Sequence, residues 1–409
     1  MTLTNATLGK RLKAARENCR LTQEQTAEAL GVSRVTVTNM EAGSRAVTTL
    51  ELARLAKLYQ RPAASFLGDA DSNEDELLVT LYRKAARLEE DPAARSAVLH
   101  YLDLCAEGIT LERLLGRDTR TSLPAYELPT PRSALQAIRP GRGRRAQERA
   151  RLNLGDSPIP SVAEHLSSQG LWVSEVSFPD DLSGFFFNHS SIGIGVLVNQ
   201  NHHGSRKRFS LAHEYAHALI DRGQKVTATT VANSAELAEK RANAFASAFL
   251  LPEGGVLAML SNLDKGAPSR EEYHGYDVAT DDGFADTQRN LVREQRVTYR
   301  EAILVARHFG VSYEAALFRL QNLRILTRPE VDDLRAQSAA ASRYARLVGL
   351  EDREEVLREV RTRLLQLALD AYAHDEISKG RLVELCDKLG MKPKEKKELL
   401  EEADASRAA

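Results

Sequence analysis

Apolar side chains recur at helical spacing along most of the chain, interrupted by a short region patterned as strands. In the first 70 residues Leu8, Leu12 and Ala15 space one apolar face, and Thr22 stands where a helix cap is expected. Five short helices are predicted there. An acidic, polar run at 70–80 breaks the pattern, which returns in LLVTLYRKAARL and AVLHYLDLCAEGITLERLL. Residues 118–145 hold four prolines, two glycines and clustered arginines, and read as a connector. An α+β stretch follows, with helices at 145–154 and 160–169, strands in LWVSEVSF and SIGIGVLVNQ, and long helices at 206–222 and 233–251. Beyond Pro329 the chain is helical, charged and alanine-rich. Charges alternate through Arg353–Arg363, and Leu357, Val360, Leu364 and Leu367 form a stripe for ordinary packing or for a homodimer contact. The expected fold class is α+β, mainly helical. Its expected parts are a five-helix bundle at 1–70, a helical connector and linker at 71–144, an α+β domain at 145–330 and a helical C-terminal region at 331–409.

Composition narrows the classes. At 43% hydrophobic and 28% charged, the 409 residues are those of a folded chain, not a disordered one. No window approaches the ~20 apolar residues of a bilayer span, and the N-terminus lacks the apolar core of a secretory signal. A cytoplasmic protein with no membrane partner is expected. The three cysteines, Cys19, Cys105 and Cys386, lie far apart, which disfavours disulfides and a thiolate zinc site. Net charge is −1 overall, yet residues 1–70 carry ten basic against six acidic side chains, a bias that suits contact with phosphates.

Within that basic segment, Leu21–Gly43 predicts two helices around a tight Gly31-Val32-Ser33 turn. Ser33 is placed to cap the second helix, and Gly43 sits where a helix end needs a left-handed residue. Ala27, Leu30, Val32, Val37 and Leu50 are expected to pack the helices together. The other face of the second helix offers Arg34, Thr36, Thr38 and Asn39, polar groups able to reach base edges. The segment Leu8–Leu67 resembles the helix-turn-helix domain of the Xre/lambda-repressor family. That resemblance implies binding of double-stranded DNA through Gln23, Ser33, Arg34, Thr36 and Asn39. The plainer alternative is a bundle for protein contact.

A second motif carries catalytic chemistry. Arg208–Arg222 contains His213-Glu214-x-x-His217, the HExxH pattern, inside a helical run. Positions i and i+4 share a helix face, so both imidazoles can grip one Zn2+, with Glu214 beside them as general base on an activated water. Tyr215 points elsewhere on the same helix. A third histidine at metzincin spacing would fall on Gly223, so a glutamate from the next helix is the better third ligand. Glu239 is favoured, with Glu236 as the alternate. Asn243, one turn after Glu239, is placed to orient a ligating histidine.

The runs RFSLAHEYAHAL and EKRANAFASAFLLP resemble the ImmA/IrrE metallopeptidases over about residues 145–330, with NLGDSPIPSVAEHLSSQGLWVSEV and DLSGFFF standing for that family's leading helix and strands. The resemblance implies a zincin-like α+β peptidase domain of gluzincin-like type. It further implies zinc-dependent cleavage of a helix-turn-helix repressor in a mobile-element or stress response. Residues 261–290 depart from the pattern and read as an insertion or mobile loop. Ala302–Leu326 echoes the helix-turn-helix pattern without a basic face. His202 and His203 read as solvated. Three functional classes remain open: a DNA-binding regulator carrying a zinc endopeptidase, a non-proteolytic repressor whose peptidase-like domain senses a ligand or partner, and an antitoxin-like half of a two-gene module.

Overall fold

The computed structural model describes residues 4–19, 21–59, 63–67, 91–117, 123–129, 131–133, 136–137, 147–189, 192–223, 226–230, 233, 235–265, 271–277, 282–288, 295–350 and 357–408. It is mainly helical, with a small mixed sheet in the middle, and the expected α+β class holds. The first five helices are α1 (Asn5–Asn18), α2 (Gln23–Leu30), α3 (Arg34–Ala42), α4 (Thr49–Leu58) and α5 (Ala63–Leu67). They enclose a core of their own, with Leu8, Leu12, Ala27, Leu30, Val37 and Met40 buried in it. Leu50 corrects the sequence reading, for it is 64% exposed. Thr48 caps α4, so Leu52, Leu55 and Ala56 share the inward face, and Leu50 lies about 200° around the helix from Leu52.

The central sheet has the order β1-β3-β2-β4, built from β1 (Trp172–Val176), β2 (Leu182–His189), β3 (Gly193–Asn199) and β4 (Val226–Thr230). Strand β1 runs parallel to β3, while β2 is antiparallel to both β3 and β4. Side chains alternate between two cores, as a strand requires. Val173, Phe186, Val196 and Val198 face one core, with α7 (Val162–Ser168), α8 (Gly204–Ile220), α9 (Leu237–Leu250) and α10 (Glu253–Ser261). The same core takes in α11 (Tyr299–Phe309), α12 (Tyr313–Asn322), α13 (Arg328–Ala336) and α14 (Ser338–Leu347). Trp172, Phe185, Phe187 and Leu197 face the other core, against α6 (Pro92–Leu114), α15 (Glu359–Ala373), α16 (Lys379–Lys388) and α17 (Pro393–Ala408). Gly108 of α6 makes room for the indole of Trp172, whose ring a Cβ there would meet at 2.1 Å.

Strand β4 was not expected. VTATT has no apolar alternation strong enough to read, because it lies at the sheet edge with its last two threonines half-buried. Part of the stretch read as an insertion forms an antiparallel pair, β5 (Glu271–Asp277) with β6 (Asp282–Gln288). Among the described residues no single helix is long and apolar enough to cross a membrane.

Candidate metal centre and nucleic-acid interface

Helix α8 is buried nearly all round, because sheet, α7 and α9 cover it from different sides. Arg208 anchors its start, donating to the carbonyls of Ile159 at 2.7 Å and Pro160 at 3.1 Å. One turn on, His213 and His217 project from the same face with 2% and 0% exposure. Helix α9 packs alongside and supplies Glu239, so that the ligand atoms of His213, His217 and Glu239 all lie within 4.8 Å of one another. Glu236, the alternate ligand, is exposed at the N-cap of α9 and stands outside this group.

The outer nitrogens of both rings are committed. Nδ1 of His213 meets Asn243 Oδ1 at 2.9 Å, and Nδ1 of His217 meets Asp221 Oδ2 at 2.9 Å. When Nδ1 carries the proton of each neutral ring, both Nε2 lone pairs point inward, and these nitrogens are only 3.1 Å apart. Glu239 adds an oxygen 3.0 Å from His213 Nε2 and another 3.5 Å from His217 Nε2. Three converging electron pairs in a buried site repel unless a proton or a cation lies among them. Two imidazoles and a carboxylate are a donor set that fits zinc.

Glu214 is wholly buried beside this cluster. Thr229 of β4 donates to its Oε1 at 2.7 Å, while Oε2 has no hydrogen-bond partner among the described residues. Gly184 of β2 lies against it, and a Cβ there would stand 2.7 Å from the Leu197 carbonyl and 3.3 Å from Glu214 Oε1. Burial raises the Glu214 carboxyl pKa, with the positive charge of His213 and His217 opposing. Burial also works against charge on His217 and Glu239, but their mutual hydrogen bonds prevail. His217, bonded to Asp221 and Glu239, is raised to about 10, and Glu239, bonded to both histidines, is lowered to about 2. Tyr215 faces away from the site, its hydroxyl on Glu148 and Arg151.

In the N-terminal bundle Thr22 forms a capping box with Gln25, Gly31 ends α2 at φ 71°, Ser33 caps α3 through the Thr36 amide, and Gly43 ends α3 at φ 73°. Ser33, Arg34 and Asn39 are exposed and Thr36 is half-buried. Gln23 is less free. Its amide donates to Glu41 Oε2 at 2.9 Å and accepts from Thr38 at 3.0 Å, while Arg16 holds Glu41 Oε1 at 2.6 Å. Val35, which the sequence reading passed over, is 66% exposed between Arg34 and Thr36.

Family comparisons cover both regions. Residues 7–65 match a helix-turn-helix domain, and residues 166–273 match the IrrE N-terminal-like domain. The chain joins a DNA-binding helix-turn-helix domain to an IrrE-like, peptidase-like domain. No curated protein matches the chain.

The IrrE-like domain holds supporting groups that sequence reasoning missed. Asp221, four residues after His217, binds that ring, and Arg241 of α9 in turn donates to Asp221 Oδ1. The i to i+4 spacing from His217 was a usable signal for Asp221, whereas Arg241 and Thr229 come from other elements. His202 also departs from expectation. It is 8% exposed, not solvated, in a loop that Asn199 ties to the carbonyls of Phe178 and Pro179. Replacing Asp221 by alanine frees the His217 ring to turn and is expected to weaken zinc binding ~10–100-fold. Competition with a zinc chelator measures this, and an unchanged affinity would show that Asp221 does not orient the ligand.

The raised His217 and lowered Glu239 pKa values also fix the sign of a pH effect. Below about 10 the metal-free cluster keeps a proton that an incoming ion must displace. Zinc uptake at neutral pH is therefore expected to release about one proton, and affinity to fall as pH falls. Calorimetry in buffers of different ionisation enthalpy reads the release directly. A pH-independent affinity with no release would contradict it.

Proposed function

We propose that the chain is a DNA-binding regulator whose IrrE-like domain is a zinc endopeptidase acting on a helix-turn-helix repressor or on its own chain, in a mobile-element or stress response. The observation that carries this reading is the pair of Nε2 atoms 3.1 Å apart, closed by Glu239, beside a buried Glu214 with one carboxylate oxygen unengaged. His213, His217 and Glu239 would hold the metal, while Asn243 and Asp221 keep the rings turned inward. When bound, zinc supplies a Lewis acid that polarises the scissile carbonyl and acidifies a water. Glu214 would take a proton from the attacking water on Oε2 and return it to the leaving amine. Its raised pKa makes it a stronger base than an exposed carboxylate. Thr229, bonded to Oε1, keeps the other oxygen directed at the site.

DNA binding places the peptidase near an operator. We assign base reading to Arg34, Thr36 and Asn39 on α3, and orientation to Gln23 and Ser33. Arg34→Ala is expected to relax preference at one base pair by ~1–3 kcal/mol. Lys10→Ala or Lys13→Ala should weaken all sequences alike and lower the salt slope by about one. Titrations against the chain's own promoter and a scrambled duplex, at two salt concentrations, separate the effects. Equal, weak wild-type binding to both duplexes would leave the bundle as a protein-contact module.

A further inference from the structure

A cavity of about 520 Å3 opens between α8, α9 and α12, within the range of sites for small organic molecules. Along α9, Lys240, Asn243, Ala244 and Ser247 follow the i, i+3, i+4, i+7 spacing of one helix face and form one wall. Phe209 of α8 and Ala315 and Phe318 of α12 make the apolar remainder. Phe318 is 44% exposed, so part of its ring is open to an apolar ligand. Within the same wall Ser247 is only 9% exposed, and its hydroxyl has no hydrogen-bond partner among the described residues. A buried hydroxyl left unmatched is costly and points to a ligand or a water as its partner.

Charge decides what kind of ligand fits. Lys240 and Arg206 stand at the rim, and neither makes an ion pair among the described residues; Arg206 only donates to Ser183 Oγ at 3.3 Å. The carboxylate in the lining, Glu314, is held from outside by Arg335 at 2.9 Å, whose guanidinium also lies over the Phe318 ring at 5.1 Å. Lys240 and Arg206 thus line the cavity with no ion-pair partner among the described residues, beside its apolar wall. Neither the metal centre nor the DNA-reading face uses them.

We propose that this cavity is a binding site for an amphipathic organic anion, its apolar body against Phe209 and Phe318 and its carboxylate at Lys240 and Arg206. The Ser247 hydroxyl supplies a further hydrogen bond. This site stands apart from the peptidase reading and requires neither zinc nor cleavage. Asn243 nonetheless belongs to both, since the side chain that lines the cavity also holds His213.

The test uses the full chain and three probes of equal length, octanoate, octanol and octylammonium, titrated by calorimetry. Octanoate is expected to bind one per chain and to lose roughly tenfold or more in affinity in Lys240→Gln, because an ionic hydrogen bond is lost. Octanol should bind more weakly and be indifferent to Lys240→Gln, and octylammonium should bind least. Ala244→Trp, which fills the cavity, should abolish octanoate and octanol binding together. Lys240→Gln alters only a rim side chain, so it keeps the test open should the tryptophan variant fail to fold. Octanoate binding unaffected by Lys240→Gln, or matched by octylammonium, would overturn the proposal. Absence of octanoate binding to the wild-type chain would overturn it too.

Discussion

Glu214→Gln is expected to keep its zinc and to lose peptide cleavage. Glutamine matches glutamate in size, so Thr229 still finds an oxygen and the wall at Gly184 is undisturbed. The change falls on the oxygen with no partner, Oε2, which becomes an NH2 group unable to accept a proton from water. General-base contributions of this kind are worth ~10²–10⁴ in rate, the expected drop in kcat. Removing a carboxylate from a fully buried site also relieves a desolvation cost, so no loss of fold is expected. Metal analysis and cleavage rate on the same preparation check both halves. Wild-type cleavage by a zinc-replete Glu214→Gln protein would mean that another group activates the water.

His213→Ala and His217→Ala are each expected to abolish tight zinc binding, and Glu239→Ala to weaken it strongly. Losing one of three protein ligands leaves two, too few to hold zinc against solvent in a site of this type. Each substitution also removes a partner's contact, that of exposed Asn243 with His213 and that of half-buried Asp221 with His217. Asp221 keeps the Arg241 contact and Asn243 can turn to water, so neither variant is expected to lose the fold. Stoichiometric zinc in the double histidine variant would place the ion elsewhere.

How much of this was legible in the sequence depends on how local each signal is. The capping of α2 and α3, the left-handed Gly31 and Gly43 and the face shared by His213 and His217 are all set within a few residues, and the structure shows each of them. Glu239 and Asn243 could be named because they stand four apart on a single strongly patterned helix. Thr229, Arg241 and Gly184 could not, since what makes them part of the site is packing of β4, α9 and β2 against α8. Leu50 misled because hydrophobicity was taken for burial, when the Thr48 cap had already set the phase of α4. Strand β4 escaped for a similar reason: a threonine-rich edge strand carries little hydrophobic pattern, and its place follows from pairing with Phe185–Phe187. The packing of α6 on the far face of the sheet was also invisible locally, resting on Trp172 fitting against Gly108 from 64 residues away.

The most direct measurement is the intact mass of a helix-turn-helix repressor encoded beside this gene, after incubation with the zinc-loaded full chain, with the chain's own mass followed in the same spectrum. The account predicts one discrete internal cut, in the repressor or in the chain itself, that appears with wild-type protein and is missing with Glu214→Gln or after chelation. Both masses staying unchanged, with one equivalent of zinc bound and the repressor in contact with the chain, would contradict it and make the IrrE-like domain a non-proteolytic sensor.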